Sequence, residues 1–216
     1  MLALADIALS TPERVLLRGL SARVAAGEVL VLMGDSGAGK SSLLAFLCGT
    51  LPAGLRASGS VRLDGRDITA LPTAERRVAI LFQDDLLFPH MTVRDNLLFA
   101  LPRGPRAARV QRADAALAQA GLDGFGARWP HTLSGGQRAR VSVLRALLAE
   151  PRALLLDEPF SRLDAALRAR FRAFVFERVR AQGIPAVLVT HDAGDVPPGA
   201  TVVHLEAPRG ADDGDA

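Results

Sequence analysis

The sequence predicts an α/β fold with a parallel-sheet core, and two features lead to this prediction. Short apolar runs typical of buried strands alternate along the chain with longer stretches of helical periodicity. One helical block, at about 84–150, interrupts this alternation and is expected to form a lobe of its own. We therefore expect a single domain over residues 1–216, with a helical sub-domain inserted into it.

The first part of the chain is predicted to consist mainly of strands. The runs LALADIALS, RVLLRGLSARV and EVLVLM are interpreted as short strands, with breaks at Gly19 and at 25–27. EVLVLM is apolar on both faces, which favours a buried parallel strand. The elements expected next are a glycine-rich turn at 34–39, a helix from Lys40 to about Cys48, a hairpin over 59–68 that turns at Asp64-Gly65, and a buried strand at 78–82.

From Gln83 to about Glu150 the pattern is helical, and strands and helices alternate again after it. The predicted elements are amphipathic helices at 107–120 and 135–149, a strand at 153–157, a helix at about 165–181, and strands at 186–190 and 201–205. Residues from about 206 to 216 are polar and acidic, and we expect them to form a frayed tail.

Composition excludes several classes of protein. No apolar run approaches the roughly 18 residues of a membrane-spanning helix, and the first ten residues lack the basic start of a signal peptide. The single cysteine, Cys48, excludes a disulfide framework and favours a reducing compartment such as the cytosol. The arginine cluster at 103–112 has no interleaved aromatic residues, so we do not expect nucleic acid as a partner.

Residues 34–41, GDSGAGKS, match the phosphate-binding pattern G-x-x-x-x-G-K-[ST] and follow a predicted strand. Glycines let backbone N–H groups turn toward phosphates, and the N-terminus of the following helix adds partial positive charge. We expect Lys40, the one lysine of the chain, to reach the outer phosphates and Ser41 to bind Mg²⁺. The alternative is a plain glycine-rich turn. The predicted nucleotide-binding residues here are Gly34, Asp35, Ser36, Gly37, Ala38, Gly39, Lys40, Ser41 and Ser42.

An apolar strand at 153–157 ends in two adjacent acids, Asp157 and Glu158. Two carboxylates at a strand end suit a metal site, with Asp157 holding Mg²⁺ through water and Glu158 polarising the attacking water. Taken alone, the same pattern also fits a strand that ends in a solvated acidic turn. The phosphate-binding loop favours the catalytic interpretation.

The pentapeptide at 133–137, LSGGQ, opens a helical stretch and provides a second helix N-terminus able to bind an anion. An ordinary helix cap followed by glycines is the alternative. Two phosphate sites suit one nucleotide if the second site belongs to a partner chain. The pentapeptide resembles the signature motif of ABC ATPases, and the predicted nucleotide-binding residues here are Ser134, Gly135, Gly136 and Gln137.

This resemblance covers about residues 1–205 and has several implications. It implies a P-loop NTPase fold with a RecA-like parallel-sheet core, an N-terminal antiparallel β sub-domain and an inserted helical sub-domain. It implies ATP and Mg²⁺ as ligands and a homodimer formed through the nucleotide sites. Gln83 matches the glutamine that senses Mg²⁺ and water, Asp164 the D-loop carboxylate, and His191 the switch histidine at the γ-phosphate. The predicted catalytic residues are thus Lys40, Gln83, Glu158 and His191, and the predicted metal residues are Ser41, Gln83 and Asp157.

The chain departs from the family pattern at the nucleotide base. ABC ATPases usually carry an aromatic residue ahead of the loop lysine that stacks on adenine, but residues 10–14, STPER, contain none. We therefore expect affinity to depend on the triphosphate and Mg²⁺, and discrimination between ATP and GTP to be weak.

Three functions are compatible with an ABC ATPase domain: an importer subunit, an exporter subunit, and a non-transport ATPase of DNA repair or translation. The last is disfavoured because the chain has no room for a coiled coil and has one set of motifs. The stretch 81–93 resembles the Q-loop region of bacterial importer ATPases for thiamine, polyamines, iron, sulfate and maltose, with an exporter as the alternative. This implies membrane permease subunits, a separate solute-binding protein, and a peripheral location at the cytoplasmic face of the inner membrane. The residues expected to line a groove for a permease segment are Leu86, Leu87, Phe88 and Met91.

Overall fold

Two β-sheets organise the chain. The computed structural model describes residues 1–206 apart from positions 36, 83, 85 and 162. Within these residues an antiparallel sheet has the order β2-β1-β4-β5 and a parallel sheet has the order β6-β7-β8-β3-β9. The strands are β1 (Leu2–Ser10), β2 (Val15–Val24), β3 (Val29–Gly34), β4 (Arg56–Leu63), β5 (Arg66–Asp67), β6 (Val78–Leu81), β7 (Ala153–Asp157), β8 (Ala186–Val189) and β9 (Thr201–Leu205).

Helices cover both faces of the parallel sheet. They are α1 (Lys40–Cys48), α2 (Thr73–Arg76), α3 (Val93–Ala100), α4 (Arg106–Gln119), α5 (Gly135–Leu148) and α6 (Ala165–Gln182). The predicted α/β fold, with a parallel core and an antiparallel N-terminal sheet, is therefore confirmed. No helix in the described part of the chain is long and apolar enough to span a membrane.

Each central strand supplies two different cores because successive side chains point to opposite faces. In β7, Leu155 packs in the cluster that joins α1 to the antiparallel sheet. Its neighbours Leu154 and Leu156 pack on the other face, with α6 and part of α5. This two-sided burial explains why the strand is a continuous apolar run. A third cluster joins α3, α4 and α5, the helices of the block between β6 and β7.

The sequence prediction was wrong between 86 and 92, where the chain is not helical and α3 begins only at Val93. Pro89 disfavours a helix there, and the fully buried side chain of Asn96 holds the loop instead. Asn96 Oδ1 accepts from the N–H of Phe88 at 2.9 Å, and its Nδ2 donates to the carbonyl oxygen of Thr92 at 3.0 Å.

The predicted break at Gly19 was also wrong, because β2 continues through it. Gly19 has a φ of 62°, and its β1 neighbour Asp6 has a φ of 53°. The pairing register shifts between Ile7 and Leu9, whose partners on β2 are Leu20 and Leu17, so the glycine accommodates a β-bulge within a continuous strand. The short helix α2 was missing from the prediction, since four residues carry too little periodicity to be recognised.

Candidate functional site

A cleft of about 300 Å³ opens where β3, β7 and β8 end. Ligands of open parallel sheets bind at the carboxyl ends of the strands, so its position is that of a ligand site. The residues that line it are Arg14, Leu16, Gly37, Gly39, Lys40, Ser41, Ser42, Asp157, Glu158 and Val189.

The loop between β3 and α1 has a shape that only glycine permits at its start. Gly34 has a φ of 140°, and a Cβ atom there would lie 2.1 Å from the carbonyl oxygen of Leu205. Gly39, the residue before α1, has a φ of 81° and lies against Leu16. The glycines therefore let the loop curl tightly between the two strands and the helix.

Lys40 lies inside this curl and is 9% exposed. Its Nζ donates to the carbonyl oxygens of Gly34 and Asp35, both at 2.7 Å. The ammonium group is thus held at the mouth of the loop, where the backbone N–H groups and the start of α1 favour an anion. The Asp35 residue itself is exposed.

Asp157 ends β7 beside the first turn of α1. Burial raises the pKa of the Asp157 carboxyl, and the nearby Glu158 raises it too, while a hydrogen bond with Ser41 and the charge of Lys40 oppose the shift. A desolvated carboxylate in contact with a hydroxyl is a site that a cation would stabilise.

Glu158 follows β7 in a left-handed backbone conformation, with a φ of 47°, which is costly for a residue with a side chain. Its N–H donates to the carbonyl oxygen of Val189 at 3.0 Å, which anchors it to β8. Its Oε1 lies 3.1 Å from His191 Nδ1. The carboxylate and the imidazole therefore form a pair at the edge of the cleft.

The LSGGQ segment starts α5 as a capped helix. Ser134 Oγ accepts from the Gln137 N–H at 3.3 Å, and Gln137 Oε1 accepts from the Ser134 N–H at 2.9 Å. This is a capping box, and it occupies the Gln137 side chain. Ser134 is exposed, so the start of the helix is open to an external group.

Gly136 permits close packing between α5 and the segment before α6. A Cβ atom at Gly136 would lie 2.9 Å from Leu163 Cδ2 and 3.2 Å from Leu167 Cδ2. Asp164 caps α6, since its Oδ1 accepts from the Leu167 N–H at 3.0 Å. The predicted signature and D-loop segments are therefore neighbours.

The structure brings together only part of the predicted site. Of the predicted loop residues, those that share the cleft with Asp157 and Glu158 are Gly37, Gly39, Lys40, Ser41 and Ser42, whereas Gly34, Asp35 and Ala38 do not line it. His191 contacts Glu158. The signature residues at 134–137 and Asp164, all of them described, do not line it. Ser36, which was predicted to bind nucleotide, and Gln83, which was predicted as a catalytic and metal residue, lie outside the described residues.

Comparison with known proteins identifies the family. The model of the ABC transporter family matches residues 17–161 of this chain. The chain belongs to the ABC transporter family. An uncharacterised ABC transporter ATP-binding protein of Escherichia coli, YnjD, is 49% identical over 95% of both chains.

Other ABC relatives are longer proteins. The chain is 45% identical to a ferric-iron import ATP-binding protein of Rhizobium meliloti over 80% of this chain, and 43% identical to a sulfate/thiosulfate import ATP-binding protein of Nocardia farcinica over 78%. It spans about half the length of each, 49% and 51%. Among solved structures, the ATP-binding cassette MJ0796, in a dimeric post-hydrolysis state with ADP and Pi, matches with a TM-score of 0.82 at 28% identity over 97% of both chains.

Sequence reasoning missed two residues of this ABC cleft, Arg14 and Leu16. Arg14 is the last residue of the turn that joins β1 to β2, and Leu16 lies just after it in β2. The turn is closed by the Thr11 N–H, which donates to the Arg14 carbonyl oxygen at 2.8 Å. Thr11 Oγ1 accepts from the Arg14 N–H at 3.0 Å as well. The β1–β2 hairpin therefore places the Arg14 guanidinium and the Leu16 side chain in the wall of the cleft. Residues 10–14 contain no aromatic side chain, and an arginine in such a segment carries no sequence signal of its own for base binding.

A second concavity of about 320 Å³ lies between β6, the loop after it, and helices α3 and α5. Leu86 and Phe99 are the most exposed apolar side chains around it, at 57% and 65%. Of the residues predicted to line such a groove, Leu86 and Phe88 do so. Leu87 packs instead against the core of the helical block, and Met91 does not line the concavity. The full lining is Ala79, Ile80, Leu86, Phe88, Phe99, Ala100, Ser142, Arg145, Ala146 and Ala149.

The residues beside Asp157 fit a magnesium ion bound together with nucleotide. The described part of the chain contains no group of three or more His, Cys, Asp or Glu side chains that could hold a metal ion. Mg²⁺ instead takes one or two carboxylates plus substrate phosphates and water. Asp157 and the Ser41 hydroxyl offer that donor set at the wall of the cleft.

Proposed function

We propose that this chain is the ATP-binding and ATP-hydrolysing subunit of a bacterial ABC importer, built as a single cassette with an inserted helical sub-domain. The observation that carries the proposal is the shared cleft. The phosphate loop with its buried Lys40 lies opposite Asp157 and Glu158, within a chain of the ABC family.

The proposed roles follow from the contacts of each side chain. Lys40 stabilises the outer phosphates, and the loop from Gly34 to Ser42 surrounds them with N–H groups. Ser41 and Asp157 hold Mg²⁺, which supplies charge neutralisation when bound. Glu158 orients and polarises the attacking water, and His191 holds Glu158 and reaches the terminal phosphate.

A second copy of the chain completes each nucleotide site. Ser134, Gly135, Gly136 and Gln137 form an exposed helix start that does not line their own cleft. A helix start binds phosphate through free N–H groups and its dipole. We infer that these residues, with Asp164, contact the ATP of a partner, so that two ATP molecules lie at the dimer seam. The dimeric state described for MJ0796 supports this arrangement.

Membrane permease subunits are the proposed partners of the apolar groove. Leu86, Phe88 and Phe99 present apolar surface at its mouth, and Arg145 gives it a polar end. Exposed apolar patches of this kind mark interaction sites. The iron and sulfate relatives are import proteins, which supports an importer over an exporter. A separate solute-binding protein and a peripheral place at the cytoplasmic face of the inner membrane belong to the same proposal.

The direction of transport is the test of this proposal. The chain is reconstituted in liposomes with the permease subunits that copurify with it, with the ATPase facing outward and ⁵⁵Fe³⁺ or ³⁵S-sulfate enclosed. An importer moves solute toward the side that carries the ATPase, so we expect ATP-dependent release of one of the two probes. The Lys40→Ala chain is the control and is expected to release neither. Accumulation inside the liposomes on adding ATP would show an exporter.

A further inference from the structure

An ionic cluster built around one buried carboxylate, that of Asp195, lies beside His191 and outside the cleft. The Asp195 carboxylate is 2% exposed and accepts from Arg168 Nε at 2.9 Å and from Arg168 Nη2 at 2.6 Å. The Thr190 hydroxyl also donates to Asp195, at 3.0 Å. A buried carboxylate is costly unless it is paired and hydrogen-bonded, and a two-pronged arginine contact meets both needs with fixed geometry.

The Arg168 guanidinium also contacts Asp192, the residue that follows His191 in the sequence. Arg168 Nη1 lies 2.8 Å from Asp192 Oδ2, while Asp192 Oδ1 accepts from the Gly194 N–H at 2.7 Å. The Asp192 N–H in turn donates to Thr190 Oγ1 at 3.1 Å. Thr190 and Asp192 are the two sequence neighbours of His191, so one arginine side chain is connected to both of them.

The cluster also joins the histidine loop to the start of α6. Arg168 lies one helical turn after the cap residue Asp164, and its N–H donates to the Asp164 carbonyl oxygen at 2.8 Å. Arg172, one turn further on, lies 3.5 Å from Asp195 Oδ1 and donates to the Gly194 carbonyl oxygen. The side chain of His191 itself is 66% exposed, so its own packing does little to fix its position.

We propose that Arg168 is a positioning residue that fastens the loop 190–195 to the first turns of α6 and thereby sets the distance between the His191 imidazole and Glu158. The inference rests on the proposed ATPase function. Arg168 does not line the cleft. It acts through His191, and it makes that histidine move with the Asp164 segment that we expect to face the partner chain.

The first test replaces Arg168 with Lys, which keeps the charge but cannot hold both Asp195 oxygens and Asp192 at once. We expect kcat for ATP hydrolysis to fall about 10- to 100-fold, since small displacements of catalytic groups have effects of that size. The Kd for ATP should stay within about twofold, because Arg168 has no contact with the cleft. An Arg168→Lys chain with wild-type kcat would contradict the positioning role.

The matched control is Arg94→Lys. Arg94 also makes a two-pronged contact, with Asp114, at 2.8 and 3.2 Å, but it lies on α3, away from His191. We expect its kcat to equal that of the wild-type chain. An equal loss in both variants would show a general effect of weakening an ion pair, and it would overturn the inference.

A double-mutant cycle tests whether Arg168 acts through the histidine. In a His191→Ala chain, adding Arg168→Lys should change kcat by less than about twofold, because the group that it positions is gone. A further loss as large as in the wild-type background would overturn the inference.

A paired apolar replacement separates function from folding. Arg168→Met with Asp195→Leu removes the buried carboxylate and its arginine partner together, which proteins often tolerate without loss of stability. We expect this chain to keep a thermal midpoint near that of the wild type and yet hydrolyse ATP slowly. Full kcat in this folded variant would overturn the inference. A wild-type chain with no ATPase activity would instead refute the proposed function itself.

Discussion

The chain has 26 lysine and arginine residues, and Lys40 is the only lysine among them. It occupies a buried site formed by backbone carbonyl groups. Both of its acceptors lie at 2.7 Å, which suits a compact ammonium group. A guanidinium group is planar and longer, and it could not turn within the same curl. The position therefore selects the shape of the cation as well as its charge.

We predict that Lys40→Arg loses most ATPase activity. The loss of kcat should be about 100-fold or more, as is common when a group that stabilises transition-state charge is displaced. Phosphate release by the purified chain is the measurement. Arg18→Lys, an exposed exchange on β2, is the control and should be silent. Retained activity in Lys40→Arg would mean that the lone lysine is an accident of composition.

Arg14 and Leu16 suggest how the base is held without an aromatic ring. A guanidinium group can lie over a base, and cation–π contacts of this kind contribute about 0.5–2 kcal/mol. Such contacts distinguish poorly between adenine and guanine because both offer a π face. Weak discrimination between ATP and GTP therefore remains the expectation when a cation lies against the base.

We predict that the Glu158→Gln chain binds ATP and GTP with affinities within about tenfold, and that adding Arg14→Ala weakens both by a similar factor, about three- to tenfold. Calorimetry on the non-hydrolysing background gives both affinities directly. Arg18→Ala, which lies on the same hairpin but outside the cleft, should change neither. A strong preference for ATP that survives Arg14→Ala would place the base elsewhere.

At the scale of single elements, helix α5 combines a structural cap with a proposed ligand site. Its Ser134 hydroxyl accepts a backbone hydrogen bond, as any good cap residue would. The same exposed helix start is expected to meet the phosphates of a partner chain. The two roles tolerate different charges. A helix cap residue can be an aspartate, whereas an aspartate in a phosphate-binding site would repel the phosphate.

We predict that Ser134→Asp keeps the free energy of unfolding within about 0.5 kcal/mol of the wild type, since aspartate caps as well as serine. Its negative charge should nevertheless prevent dimer formation with ATP and reduce hydrolysis. Ser134→Ala should lose about 1 kcal/mol of stability through the missing cap. Urea unfolding and ATPase assays measure the two effects. A Ser134→Asp chain that hydrolyses ATP normally would remove this helix start from the nucleotide site.

The strands could be predicted because burial on both faces requires unbroken apolar runs, as in β3, β7 and β8. The loop at 86–92 could not, since a distant hydrogen-bonding side chain, Asn96, decides its course. Gly19 was misjudged for a similar reason. Whether a glycine breaks a strand or forms a bulge depends on the partner strand, here at Asp6.

The loop 34–41 could be recognised in the sequence because phosphate binding requires fixed residues at fixed spacing. Contacts between elements could not be recognised in this way. Arg14 enters the cleft only because the β1–β2 hairpin folds against α1, and Arg168 meets Asp195 across 27 positions of sequence. No local pattern marks either residue.

At the scale of the whole molecule, the proposed chemistry needs two chains. One cleft holds the loop, Asp157 and Glu158, while the signature helix start opens elsewhere on the surface. ATP is therefore expected to hold the two chains of the dimer together, and its hydrolysis is expected to let the dimer come apart. A chain that binds ATP but cannot hydrolyse it should remain dimeric.

The most direct measurement is gel filtration of Glu158→Gln with and without ATP. Glutamine keeps the size of Glu158 and its contact with His191, but it cannot polarise water as a carboxylate does. We predict a monomer without nucleotide, a stable dimer that retains two ATP per pair of chains, and almost no turnover. The Glu158→Gln/Ser134→Asp chain should stay monomeric in ATP. A Glu158→Gln chain that hydrolyses ATP at the wild-type rate, or stays monomeric at saturating ATP, would contradict the account.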